Sequence, residues 1–139
     1  MHSKVYIILP SEIYYNGVSC IAQYVNSLMN GEQFIEHLEF SASYDGYEFG
    51  GYHDLLMKKY DIKYNSYEYY YDKHPSERIL DNCARIDKFL EFFKVNYEIP
   101  CVRDLIDLDQ FACEYTHEEF IEKLEAVSQN YIAYIDYHC

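Results

Sequence analysis

Six histidines, at 2, 37, 53, 74, 117 and 138, and five cysteines, at 20, 83, 101, 113 and 139, are the residues of this chain best suited to nucleophilic, acid–base or metal chemistry. Their spacing does not organise that chemistry. No H-E-x-x-H and no C-x-x-C occurs, and no group of three or four has metal-ligand spacing. His53-Asp54 could supply half of a metal site. The simpler reading of His53 and His117 is as first-turn helix residues near solvent. Cys83 falls on an apolar stripe and reads as a small buried hydrophobe. Nucleophile elbows, phosphate loops and dinucleotide fingerprints are absent. The expectation is therefore no enzyme, no cofactor and no metal. A small enzyme using scattered His, Asp and Cys residues stays open as an alternative.

Carboxylates dominate instead. Asp and Glu number 24 against 11 Lys and Arg, a formal net charge of -13. Such a field repels nucleic acid and anionic membranes and attracts basic protein surfaces. Glu118, Glu122 and Glu125 share one helix face, Asp104, Asp107 and Asp109 cluster before them, and Glu114 lies between. From residue 97 onward only Arg103 and Lys123 oppose the acids. Like charges at i,i+4 repel, so these groups call for solvent or a cationic partner.

The chain also carries 18 tyrosines, each with a large ring and a hydroxyl that needs water or a partner. In SYEYYYDK, residues 66–73, alternation sends Tyr67, Tyr69 and Tyr71 one way and Glu68, Tyr70 and Asp72 the other. The first set suits a core and the second a wet acidic face. Full burial would leave Glu68 and Asp72 unpaired. The expected partner-binding positions are Glu68, Tyr70, Asp72, Asp104, Asp107, Asp109, Glu114, Glu118, Glu122 and Glu125.

These residues need elements to hold them. KVYIIL, 4–9, reads as a strand buried on both faces and ended by Pro10, with YYNG as a turn. Apolar residues at 18, 21, 25 and 28 make a helix over 18–30, with Gly31 as a left-handed cap. LEFSASY, 38–44, alternates as a half-buried strand, Asp45-Gly46 turns a hairpin, and YEF begins the return. Residues 53–60 suit a short helix and 62–72 a strand. SERILDNCARIDKFLEFFK, 76–94, reads as one helix with the stripe Ile79, Cys83, Ile86, Leu90 and Phe93. VRDLIDLDQFACEY, 102–115, reads as one or two short helical turns. Thr116 with Glu119 forms a capping box, and Tyr115 with Phe120 its hydrophobic staple, for a helix over 117–129. YIAYIDY, 131–137, is a closing strand suited to pair with 4–9.

The expected fold class is α+β: a small, mostly antiparallel sheet with three or four helices packed on one face. The length suits a single compact domain, residues 1–139, with a candidate subdomain boundary near 72–76. An odd cysteine count without C-x-x-C reads as reduced thiols in an intracellular protein. MHSKVYIILPSE is too short an apolar run for a signal peptide, and no run reaches the length of a membrane span. Cytoplasm, that of a host cell if the chain is viral, is the expected compartment.

KVYIILPSEIYYNG, the acid-and-tyrosine pattern of YDGYEF and the acidic C-terminal helix resemble the small acidic inhibitors of phages and mobile elements. These include ArdA-type antirestriction proteins and anti-CRISPR proteins, some of which mimic DNA. The resemblance implies a non-enzymatic inhibitor that occupies the nucleic-acid-binding surface of a host defence protein, such as a Cas nuclease or a restriction enzyme. It transfers no functional residue individually. The expected partner is a basic nucleic-acid-binding protein, with no direct nucleic acid and no membrane, and the chain a monomer or homodimer. An immunity or adaptor protein bound to a basic partner is the alternative that uses the same charge.

Overall fold

The computed structural model describes residues 2–38, 44–50, 75–96, 103–106 and 113–138. In chain order these form β1 (His2–Leu9), α1 (Ser11–Tyr15), α2 (Val18–Met29), α3 (Glu32–His37), β2 (Gly46–Phe49), α4 (Pro75–Asp81), β3 (Cys83–Arg85), α5 (Ile86–Asn96), β4 (Arg103–Ile106), β5 (Cys113–Tyr115), α6 (His117–Glu125) and β6 (Tyr131–His138). The sheet runs β2-β6-β1-β4-β5, with β3 also paired to β6. Four of its pairings are antiparallel and one, β1 with β4, is parallel. The α+β class and the mostly antiparallel sheet are as the sequence predicts.

The expected pairing of the first and last strands is present in full. It runs from His2 opposite His138 to Leu9 opposite Tyr131. Alternation along these strands builds two cores. Val5, Ile7, Leu9, Ala133 and Ile135 pack with Ile21, Val25 and Met29 of α2 and Phe34 of α3. Tyr6, Ile8, Ile132 and Tyr134 pack with Ile86, Phe89, Leu90 and Phe93 of α5 and Phe120 and Leu124 of α6. Helices therefore cover both faces, not one. The cause lies in the strands: VYIIL has no polar position, and Ile132–Tyr137 is buried without interruption. Strands apolar on both sides require a layer on each.

The single helix expected over 76–94 is broken. Residues 83–85 are a strand paired to β6, with Cys83 opposite Ala133 and Arg85 opposite Tyr131. The proposed stripe is split accordingly. Ile79 and Cys83 belong to the α2 core, while Ile86, Leu90 and Phe93 belong to the α5–α6 core. The open edge of β6 wins over helical propensity, because buried peptide groups must be paired. The short helical turns expected within 102–115 are corrected too: residues 103–106 and 113–115 are strands, paired Arg103 to Tyr115 and Leu105 to Cys113.

Smaller differences are local. The two tyrosines of YYNG belong to a one-turn helix, in which Ile13 N–H donates to the Pro10 carbonyl at 3.0 Å. Gly31 is extended, φ -74°, and opens α3 rather than adopting a left-handed cap. It is glycine's size that matters there, since a Cβ would lie 2.8 Å from the Ser27 carbonyl oxygen. The last helix ends at Glu125, and turns fill 126–129. β2 forms where the return strand is expected, but against β6. Residues 39–43 of its expected hairpin partner, the elements at 53–60 and 62–72, and most of the boundary at 72–76 lie outside the described residues.

β2 and β3 line one edge of β6 end to end, and Tyr134 sits at their junction. Gly50 N–H donates to the Tyr134 carbonyl at 2.9 Å, and Tyr134 N–H donates to the Asn82 carbonyl at 3.0 Å. Gly50 has φ +88°, and a Cβ there would meet the Asn82 carboxamide at 2.5–2.8 Å. Gly50→Ala is expected to lower the free energy of unfolding by about 1–3 kcal/mol, read by urea denaturation.

Candidate partner-binding surface

Helix α6 carries the densest described group of acids. Its start is fixed by the expected capping box: Glu119 N–H donates to Thr116 Oγ1, and Thr116 N–H donates to Glu119 Oε1, both at 3.3 Å. Tyr115 packs on the core that contains Phe120, as a staple requires. Phe120 and Leu124, four apart, are fully buried and clamp one side of the helix. The other side presents Glu118, Glu122 and Glu125, all exposed. Neighbours in that row have Cβ atoms roughly 5–6 Å apart. The repulsion within the row is eased at both ends. Glu118 and Glu119 lie in the first turn, near the positive end of the helix dipole, and Lys123 lies in the last.

The strand acids form a second group. Asp104 and Glu114 are direct cross-strand partners on β4 and β5. Leu105 pairs with Tyr6, on the α5–α6 side of the sheet. Asp104 and Glu114 lie on strands and not on the helix that carries the row. Glu68, Tyr70, Asp72, Asp107 and Asp109 lie outside the described residues.

A third group was not singled out in the sequence. Tyr14 of α1 stacks on Tyr131 of β6, centroids 3.7 Å apart and planes 7° apart. Tyr15 stands edge-on to both, at 5.9 Å from Tyr14 and 5.7 Å from Tyr131. The Tyr131 hydroxyl donates to the Tyr15 hydroxyl at 3.2 Å. That bond, with burial and the neighbouring phenols, pushes the Tyr131 pKa up to about 12, against a lowering contribution from Arg85. Burial also raises Tyr14, reinforced by Cys83 and Tyr15.

Among the described residues, Cys83, His117 and His138 are each engaged within the fold. Cys83 is buried and its thiol is pushed up to about 12 by desolvation, so it stays protonated. His117 opens α6 half-buried and stacks on Phe93, centroids 5.1 Å apart. His138 pairs with Asp45 across the end of β6. A groove of about 300 Å3 lies between α2, β2 and α4, lined by Ala22, Tyr47, Glu48, Phe49, Arg78 and Ile79. Among the described residues, no three or more His, Cys, Asp or Glu gather to hold a metal ion, and no helix is long and apolar enough to cross a membrane.

No family model, no curated protein and no solved structure matches the chain.

The tyrosine group has a titration signature. Tyr131 holds its proton more tightly in the folded chain than the ordinary phenol at 10, so its contribution to stability is complete below pH 10. It is lost as pH rises toward 12. In Tyr15→Phe the hydrogen bond disappears and Tyr131 is expected to ionise at lower pH, read by ultraviolet titration of tyrosinate.

Proposed function

We propose that the chain is a non-catalytic acidic inhibitor that covers the basic nucleic-acid-binding surface of a partner protein. The observation that carries this reading is α6: three carboxylates in one exposed row, on a helix whose other side is locked into the core. The row presents negative charge at regular intervals on a rigid element. A groove built to hold phosphates through Lys and Arg would accept it, and the overall charge of -13 would steer the encounter. A host defence nuclease, of the Cas or restriction type, is the narrower form of the proposal. It rests on the resemblance of the amino-terminal stretch and the acidic helix to phage and mobile-element inhibitors.

One observation favours a second reading. Asp104 and Glu114 are cross-strand partners on β4 and β5, so the candidate acids are divided between helix and strands. An immunity or adaptor protein on a basic partner needs the charge without a continuous phosphate-like track. Competition separates the two: duplex DNA displaces a mimic from its partner and leaves an adaptor bound.

The binding test uses partner captured at low salt and eluted with salt. Exposed ion pairs are each worth roughly 0.2–1 kcal/mol, so any one of Glu118→Gln, Glu122→Gln or Glu125→Gln is expected to weaken binding less than about fivefold. The triple change Glu118→Lys, Glu122→Lys and Glu125→Lys is expected to weaken it by roughly a hundredfold, most strongly at low ionic strength. Unchanged affinity in the triple variant, measured by surface plasmon resonance, removes α6 from the interface.

A further inference from the structure

Tyr15 is exposed over 71% of its surface, and Leu80 at 42% is the other exposed large apolar side chain among the described residues. Tyr15 is also not loose. Rings on two sides and a hydroxyl bond fix its orientation. A ring immobilised beforehand loses little freedom when a partner covers it, which is the property of an interface anchor. Glu12, exposed, precedes Tyr15 by three residues on the same turn of α1. That spacing puts a carboxylate beside an aromatic face. The pair suits one side chain in particular. A guanidinium is planar, stacks on a ring face and forks onto a carboxylate, whereas an ammonium has no flat face to stack. The chain's own Arg85, register partner of Tyr131, is held at 3.2 Å by Asp87.

The position of this pair matters as much as its chemistry. Ser11 N–H, at the start of α1, donates to Asn130 Oδ1 at 3.1 Å. Asn130 closes the turn that follows α6, so the start of α1 is tied to that turn, while Ile13 and Tyr14 pack on the α2 side of the sheet. From this geometry we infer that Tyr15 and Glu12 form a receptor for an arginine side chain of the basic partner, beside the turn that follows α6. The inference rests on the proposed function and gives that surface a preference for arginine over lysine.

Hexa-arginine and hexa-lysine peptides titrated into the full chain by calorimetry at low salt provide the test. Wild type is expected to bind hexa-arginine more tightly. Tyr15→Leu lowers hexa-arginine affinity roughly two- to fivefold, the range of an exposed cation–π contact, and leaves hexa-lysine unchanged. Tyr15→Phe keeps the ring and keeps the preference. Glu12→Gln also weakens hexa-arginine. Circular dichroism confirms that these exposed substitutions leave the fold intact. Equal affinities in wild type, or equal effects of Tyr15→Leu on both peptides, overturn the arginine receptor and leave the acidic-surface reading standing. Failure of both peptides to bind overturns that reading and the receptor with it. The triple reversal on α6 reads the acidic surface separately, since it should weaken both peptides alike.

Discussion

The backbone of β6 is the constraint on which the rest of the fold depends. Six of its residues in succession, Ile132 to Tyr137, are buried, so their peptide groups have no water to turn to. β1 satisfies one edge along its whole length. The other edge is completed by two segments from different parts of the chain, β2 against the second half and β3 against the first. They meet at Tyr134, whose N–H and C=O bond to Asn82 and Gly50. The need to pair this edge explains why a helical stripe breaks at Asn82, and why only a glycine fits beside the Asn82 side chain. The break also lets the chain pass from the α2 core to the α5–α6 core, since Cys83 and Ala84 face opposite sides.

The elements that were legible in the sequence are those whose signal is local. The apolar run of β1, the stripe of α2, the T-H-E-E box of α6 and the closing strand each carry their period or their cap within a dozen residues. The stripe that predicts one helix over 76–94 is genuine on both sides of the break. Ile79 and Ile86 are both packed against cores, but against different ones. Nothing local to DNCAR announces that a strand 50 residues later needs a partner. β4 and β5 have four and three residues, too few to display alternation. The even coverage of the sheet was within reach, because a strand apolar on both faces implies a helical layer on each.

The same division applies to the surface. Exposure of Glu118, Glu122 and Glu125 follows from their spacing relative to Phe120 and Leu124, so one helix turn and its repeat suffice to read it. The tyrosine group was hidden because its members meet only in the fold: Tyr15 and Tyr131 are 116 residues apart. The one available sign was the excess of tyrosine itself. The structure divides that excess by role. Tyr6 and Tyr134 fill the second core edge-to-face at 5.2 Å, Tyr44 bonds the Met29 carbonyl, and Tyr15 is left in solvent.

Charge and packing are kept apart by this plan, and that separation lets a chain of net charge -13 hold a dense core. Both cores lie against the sheet and are almost wholly apolar. Among the described residues Asn82 and Asp136 are the buried polar exceptions, at 0% and 5% exposed, and each has an interacting partner. The carboxylates of α6 stay in water, where their mutual repulsion is screened and weak. That repulsion is a small standing destabilisation that the clamped side of the helix overcomes, through Phe120, Leu124 and the Thr116–Glu119 cap. A cationic surface laid against the row would convert the repulsion into attraction without moving the backbone. The structural investment in α6 therefore lies on its buried side, while its exposed side carries the charge.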